Sequence, residues 1–201
     1  MSTLLKPLQV REVLLKHNMR IFSPYEFERL FHTPVYTTKY FLEEQTTSGL
    51  LVRLKRGVYA LKTDMPSEEE IANKLYYPSY ISFEYALAYY GILPEMTYIT
   101  TSATTKPTRV FTTDSLSFEY FTIKKAAYTG YSLVTFDTKS FLIADPEKAL
   151  IDYMYFETLG KRPHNDRLIL KQIQKEKLLA YAQLYQRESL TVYAKEVYAA
   201  I

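Results

Sequence analysis

Apolar residues in the first third of the chain recur at helical spacing. Leu4, Leu5, Leu8, Val10, Val13 and Leu14 form one stripe, which predicts a helix over residues 3–17 ending near His17 and Asn18. A second helix is expected from Pro24, with Ser23 as its cap and Phe27, Leu30 and Phe31 facing inward. A third begins at Thr33-Pro34 by the same device and runs to about Thr47, where Ser48-Gly49 stops it. In that third helix Thr38, Phe41, Leu42 and Gln45 share the inward face, which turns Tyr36, Thr37, Lys39, Tyr40, Glu43 and Glu44 outward. The pattern then changes period. Residues 50–62, LLVRLKRGVYALK, read as two short β runs joined at Arg56-Gly57, with Leu50, Val52 and Leu54 on one side, Arg53 and Lys55 on the other, and Arg56 at the tip.

Downstream, Thr63 to Ser67 is a polar turn and the expected boundary between domains over residues 1–63 and 67–201. Ser67 with three glutamates starts a helix running to about Tyr76; residues 79–81 are extended, and Ser82 is expected to cap a helix over 83–90, closed by Gly91. Residues 97–144 hold five β-branched and aromatic runs separated by turns, and Asp145-Pro146 opens a strong helix with Ala149, Leu150, Tyr153 and Met154 inward. The tail reads as helical over roughly 165–186 and 189–200. The expected class is α+β: an N-terminal winged helix-turn-helix, then a mixed domain with a mainly antiparallel sheet and a helical tail.

Charge sharpens this picture. Residues 1–62 carry ten Lys/Arg against five Asp/Glu, a net of +5, whereas the remainder has 15 against 17. A cationic first third favours an anionic partner, nucleic acid before membrane, since no apolar run approaches a bilayer span. Arg53, Lys55 and Arg56 are then candidates to grip phosphates, while Tyr36, Thr37 and Lys39 are candidates to read or position in the major groove. The absence of cysteine excludes disulfides and thiolate metal sites, and the first residues lack a signal-peptide pattern, so a cytoplasmic location is expected.

Three local patterns occur in order: Lys55-Arg56-Gly57-Val58-Tyr59; Tyr80-Ile-Ser-Phe-Glu-Tyr-Ala-Leu-Ala-Tyr-Tyr-Gly91-Ile-Leu-Pro-Glu95; and Ala144-Asp-Pro-Glu-Lys-Ala-Leu-Ile-Asp152. Together they resemble the AbiEi family of type IV toxin-antitoxin antitoxins over most of residues 10–156. The resemblance implies a winged helix that binds double-stranded DNA at its own promoter, repressing it, and a C-terminal domain that counters a nucleotidyltransferase-type toxin, with or without direct contact. It marks Tyr80, Ser82, Glu84, Tyr85, Glu147, Lys148 and Asp152 as the antitoxin-domain motif. The segment after Gly160 matches nothing in the family pattern. A homodimer is compatible with the many tyrosines.

The motif residues also have a plain reading: Ser82 and Asp145 as caps, and Glu147, Lys148 and Asp152 as a surface ion network. Catalysis finds little footing. Five scattered glycines form no phosphate loop, three scattered histidines have no metal spacing, and no strained serine elbow is present, so no cofactor and no enzymatic activity are expected. A metal-dependent nuclease using Asp137, Glu147 and Lys148 is one alternative, although adjacent helical residues point about 100° apart. A protein-interaction module using the C-terminal helices is the other.

Overall fold

A computed structural model describes residues 5–113, 116–136 and 139–200, and the chain divides into two compact units, Met1–Ser67 and Glu68–Ile201. Asp137, a nuclease candidate above, lies outside the described residues. The protein is a mixed α+β chain.

The first unit runs α1 (Pro7–Lys16), β1 (Ile21–Phe22), α2 (Pro24–Phe31), α3 (Val35–Thr47), β2 (Leu51–Lys55) and β3 (Val58–Leu61). Three helices and a hairpin, with a short antiparallel sheet in the order β1-β3-β2, make a winged helix-turn-helix. Its core is aromatic: the Phe27 ring lies 5.7 Å from Phe22, 5.6 Å from Phe41 and 4.4 Å from Phe31. Pro24 occupies the first helical position of α2, and the Ser23 hydroxyl accepts from the Glu26 N–H while the Glu26 carboxylate accepts from the Ser23 N–H at 2.7 Å. This reciprocal cap fills two donors that the helix leaves open. Ser23→Ala is therefore expected to lower the stability of this unit by about 1 kcal/mol, read as a smaller urea midpoint at unchanged slope.

Two details differ from the pattern-based expectation. Pro34 stands at the N-cap of α3, outside the helix, and the Thr33 hydroxyl bonds the Thr38 hydroxyl at 2.8 Å instead of capping. Strand β2 turns Leu51 and Leu54 inward, not Leu50, Val52 and Leu54, because its register against β3 shifts between Arg53 and Lys55. Such a bulge adds one residue and resets the alternation. Gly57 at the hairpin turn has φ +78°, a conformation that costs glycine nothing.

The second unit contains α4 (Glu68–Leu75), β4 (Ser79–Ile81), α5 (Phe83–Tyr89), β5 (Ile99–Thr104), β6 (Arg109–Thr112), β7 (Ser117–Thr122), β8 (Tyr131–Phe136), β9 (Lys139–Ala144), α6 (Pro146–Thr158), α7 (Lys175–Leu184) and α8 (Glu188–Ala200). The sheet order is β6-β7-β5-β4-β9-β8. Three of the five strand contacts are antiparallel; β5 with β7 and β4 with β9 are parallel. Tyr120 and Tyr80 leave opposite faces of the sheet: Tyr120 aligns with Ser102 and Ile81 and donates to the Ala72 carbonyl of α4 at 2.6 Å, whereas Tyr80 aligns with Ala103 and reaches α6. Helix α6 is buried almost all round, including Glu147, Lys148 and Asp152.

The tail departs most from its helical pattern. Residues 165–174 are not helical, and helix begins only at Lys175. Their backbone and side chains are taken by other elements: the Ile169 N–H donates to the Ile92 carbonyl, the Gln172 amide to the Tyr90 carbonyl, and the Gln174 N–H to Glu147. These tertiary partners replace the intrahelical bonds that local propensity favours.

Candidate functional site

Two groups of residues carry the functional expectations, one in each unit. In the first unit, α3 buries Thr38, Phe41, Leu42 and Gln45 and leaves Tyr36, Lys39, Tyr40, Glu43 and Glu44 exposed, with Thr37 half-buried. Tyr36 is 80% and Val35 70% exposed, so the first turn projects apolar and aromatic bulk that no side chain of the unit covers. Charge divides the same helix along its length: Lys39 belongs to the early half, Glu43 and Glu44 to the later one. An anionic surface is thus met favourably by the N-terminal turns alone, where the helix dipole is also positive. On α2, Arg29 and Tyr25 are exposed, with the guanidinium 5.8 Å from the ring centre. On the hairpin, Arg53 and Arg56 are exposed and Lys55 is half-buried.

The motif residues of the second unit do not lie on the surface. Asp152 is fully buried and four donors surround its carboxylate. Oδ2 accepts from the Ser82 hydroxyl at 2.7 Å and the Tyr80 hydroxyl at 3.0 Å; Oδ1 accepts from the Tyr185 hydroxyl at 2.5 Å and from Lys148 Nζ. Lys148, one turn earlier on α6, is also fully buried, with its ammonium 5.0 Å from the Tyr185 ring and 5.7 Å from the Tyr80 ring. The reading of these residues as a surface ion network is overturned: α6 packs on all sides, so the pair sits in the core.

Burial sets the chemistry of this centre. It lowers the pKa of Lys148 from its usual value, while the Asp152 charge and hydrogen bond oppose that shift. It raises the tyrosines Tyr80 and Tyr185 well above theirs, first through desolvation and then through the neighbouring carboxylate. Every polar atom has a partner and none faces solvent. Such a centre holds one arrangement of β4, α6 and α7 together, and offers no nucleophile or base to a substrate.

The remaining motif residues separate from this centre. Glu84 accepts from both Nε and an Nη of Arg162, at 2.5 and 2.8 Å, and that guanidinium lies 4.7 Å from the Phe83 ring and 4.3 Å from the Phe121 ring. The Tyr85 hydroxyl donates to Glu69 at 2.6 Å, and Glu147 accepts from the Gln174 N–H at 2.8 Å. Ser82 and Asp145 stand at N-cap positions but neither side chain caps: Ser82 is drawn to Asp152, and Asp145 accepts from the Tyr181 hydroxyl at 2.8 Å. The nuclease set gains nothing, since Glu147 and Lys148 are engaged with different partners. Among the described residues no three His, Asp or Glu side chains gather as metal ligands.

Pattern reasoning missed Tyr185 and Arg162, which complete these contacts from the tail. Their only advance sign was residue type, because each lies more than 30 positions from a partner in sequence: Tyr185 from Asp152, and Arg162 from Glu84. No helix among the described residues is long and apolar enough to cross a membrane. No known family model matches the chain, and no curated protein is similar enough to count as a relative.

Proposed function

We propose that the chain is a DNA-binding autorepressor that also serves as the antitoxin of a type IV toxin-antitoxin system, acting in the cytoplasm on its own promoter. The single observation that supports the DNA-binding half is the outer face of α3. Its first turns present Tyr36, Lys39 and Tyr40 uncovered, in a helix-turn-helix whose hairpin exposes Arg53 and Arg56. In this reading α3 enters the major groove by its N-terminal half, where Tyr36 and Val35 meet thymine methyls and Lys39 and Thr37 meet phosphate or base edges. Arg53 and Arg56, with Lys55, hold the backbone and add affinity without sequence preference. Glu43 and Glu44 keep the later half of the helix away from phosphate.

The reading is tested with the full chain and a labelled duplex from the region upstream of its own gene. Arg53→Ala/Lys55→Ala/Arg56→Ala is expected to weaken binding at least tenfold on specific and random duplexes alike. It should also reduce the slope of log K against log salt by about 2 to 3, one phosphate contact being worth about 0.9. Tyr36→Ala/Lys39→Ala is expected instead to narrow the gap between specific and random duplexes. Unchanged affinity and slope in the triple variant would end the wing's part in it. The antitoxin half rests on the family resemblance. Its test is the neighbouring reading frame, whose product should resemble a nucleotidyltransferase, arrest growth when expressed alone, and be tolerated together with this chain.

A further inference from the structure

Strand β8 is an outer strand of the six-stranded sheet and is not built as a guarded edge. Its residues, Tyr131-Ser-Leu-Val-Thr-Phe136, include no charge and no proline, and its register against β9 runs unbroken from Tyr131↔Ala144 to Phe136↔Lys139. The opposite outer strand, β6, begins on Arg109 and follows closely on Pro107. Proteins ordinarily blunt free edges with charges, prolines or bulges, because an edge is a template for another strand. On β8 Leu133 is 64% and Phe136 77% exposed.

The phase of the free edge follows from three hydrogen bonds. The Asp145 N–H donates to the Gly130 carbonyl at 2.8 Å, and these residues continue the β8–β9 register, so the even-numbered residues of β8 bond to β9. Consistently, the Ser140 and Leu142 N–H groups point away from β8, to Glu70 at 3.2 Å and Asn73 at 2.5 Å. The N–H and C=O groups of Tyr131, Leu133 and Thr135 therefore face outward. Among the described residues none of them makes a backbone hydrogen bond beyond the sheet.

We propose that this edge pairs with the same edge of a second copy, antiparallel and centred on Leu133, joining two six-stranded sheets into one of twelve. A two-fold axis matches outward-facing residues with outward-facing residues, which places Leu133 opposite the second copy's Leu133, and Tyr131 opposite the second copy's Thr135. Self-pairing of most strands sets like charges against each other; this strand has none, and it buries its exposed leucine in a leucine pair. The contact is about 20 Å long, the length of six strand residues. That is small beside a standard interface of roughly 1,600 Å², so the dimer forms in the micromolar range.

The test is sedimentation equilibrium of the full chain from roughly 5 to 200 µM, a range that brackets a micromolar constant. The native chain is expected to pass from monomer to dimer, Leu133→Lys to stay monomeric with an unchanged circular dichroism spectrum, and Val110→Lys on β6 to dimerise as before. The register is read separately, because the chain has no cysteine of its own. Paired Cα atoms lie about 5.5 Å apart at a hydrogen-bonded site, within disulfide reach. Leu133→Cys should therefore cross-link between copies under mild oxidation, and Val110→Cys should not. A monomer throughout the range, or equal cross-linking at the two positions, overturns the proposal.

Discussion

Asp152→Ala is expected to cost the second unit about 3–5 kcal/mol, the penalty for removing one member of a buried ion pair. The variant strands Lys148 with no counter-charge and takes the acceptor from three hydroxyls, those of Ser82, Tyr80 and Tyr185. Total stability of a domain is only about 5–15 kcal/mol, so this loss removes a large share of the margin. The double variant Lys148→Met/Asp152→Leu is expected to recover part of it, since the desolvated charges leave together and similar volume remains. Urea unfolding followed by circular dichroism measures both. A double variant no more stable than Asp152→Ala would show that the hydroxyl contacts, and not the charge pair, dominate the centre.

Raising the pH above 10 is expected to unfold the second unit cooperatively. Among the described residues nine of its tyrosines have raised pKa values, chiefly through burial; Tyr90 and Tyr153 are pushed up to about 12, and the deeply buried Tyr80 and Tyr185 well above their usual value. In the unfolded chain a tyrosine loses its proton near pH 10, whereas the folded unit keeps it. The folded state then binds more protons, so the stability is fully present below pH 10 and is lost as pH rises toward the folded pKa. Each fully protected tyrosine contributes a slope of about 1.4 kcal/mol per pH unit. With Tyr80, Tyr120 and Tyr185 alone, the three fully buried ones, that is about 3 kcal/mol between pH 10 and 11, the slope reaching its full value only above the unfolded pKa. Lys148 acts in the opposite direction. Its lowered pKa makes stability rise with pH, but only up to its usual 10.5, and it is one group against several. Tyrosinate absorbance and circular dichroism should therefore change together in one transition. Gradual absorbance with an intact spectrum at pH 11.5 would contradict it.

The first unit was readable because its signals are local. Ser23-Pro24 dictates a helix start, Phe41 and Leu42 fix the face of α3, and Arg56-Gly57 makes the turn, all within a few residues of one another. In the second unit the strands were visible by composition, but not their order. Consecutive β8 and β9 pair with only two residues between them in sequence, whereas β4 lies beside β9 with 57 residues between Ile81 and Lys139, and no periodicity encodes that neighbour. The tail over 165–174 shows local propensity losing to distant acceptors such as the Ile92 and Tyr90 carbonyls.

The same division holds for function. Helical spacing by itself determined which side chains of α3 turn outward and that cations concentrate in the first 62 residues, since both are properties of neighbours along the chain. Only the tertiary structure decided that Lys148 and Asp152 are core and not surface, that Tyr185 joins them from 33 residues away, and that β8 is left as an open edge. Burial and pairing depend on what packs against a residue, and that is settled by the fold as a whole.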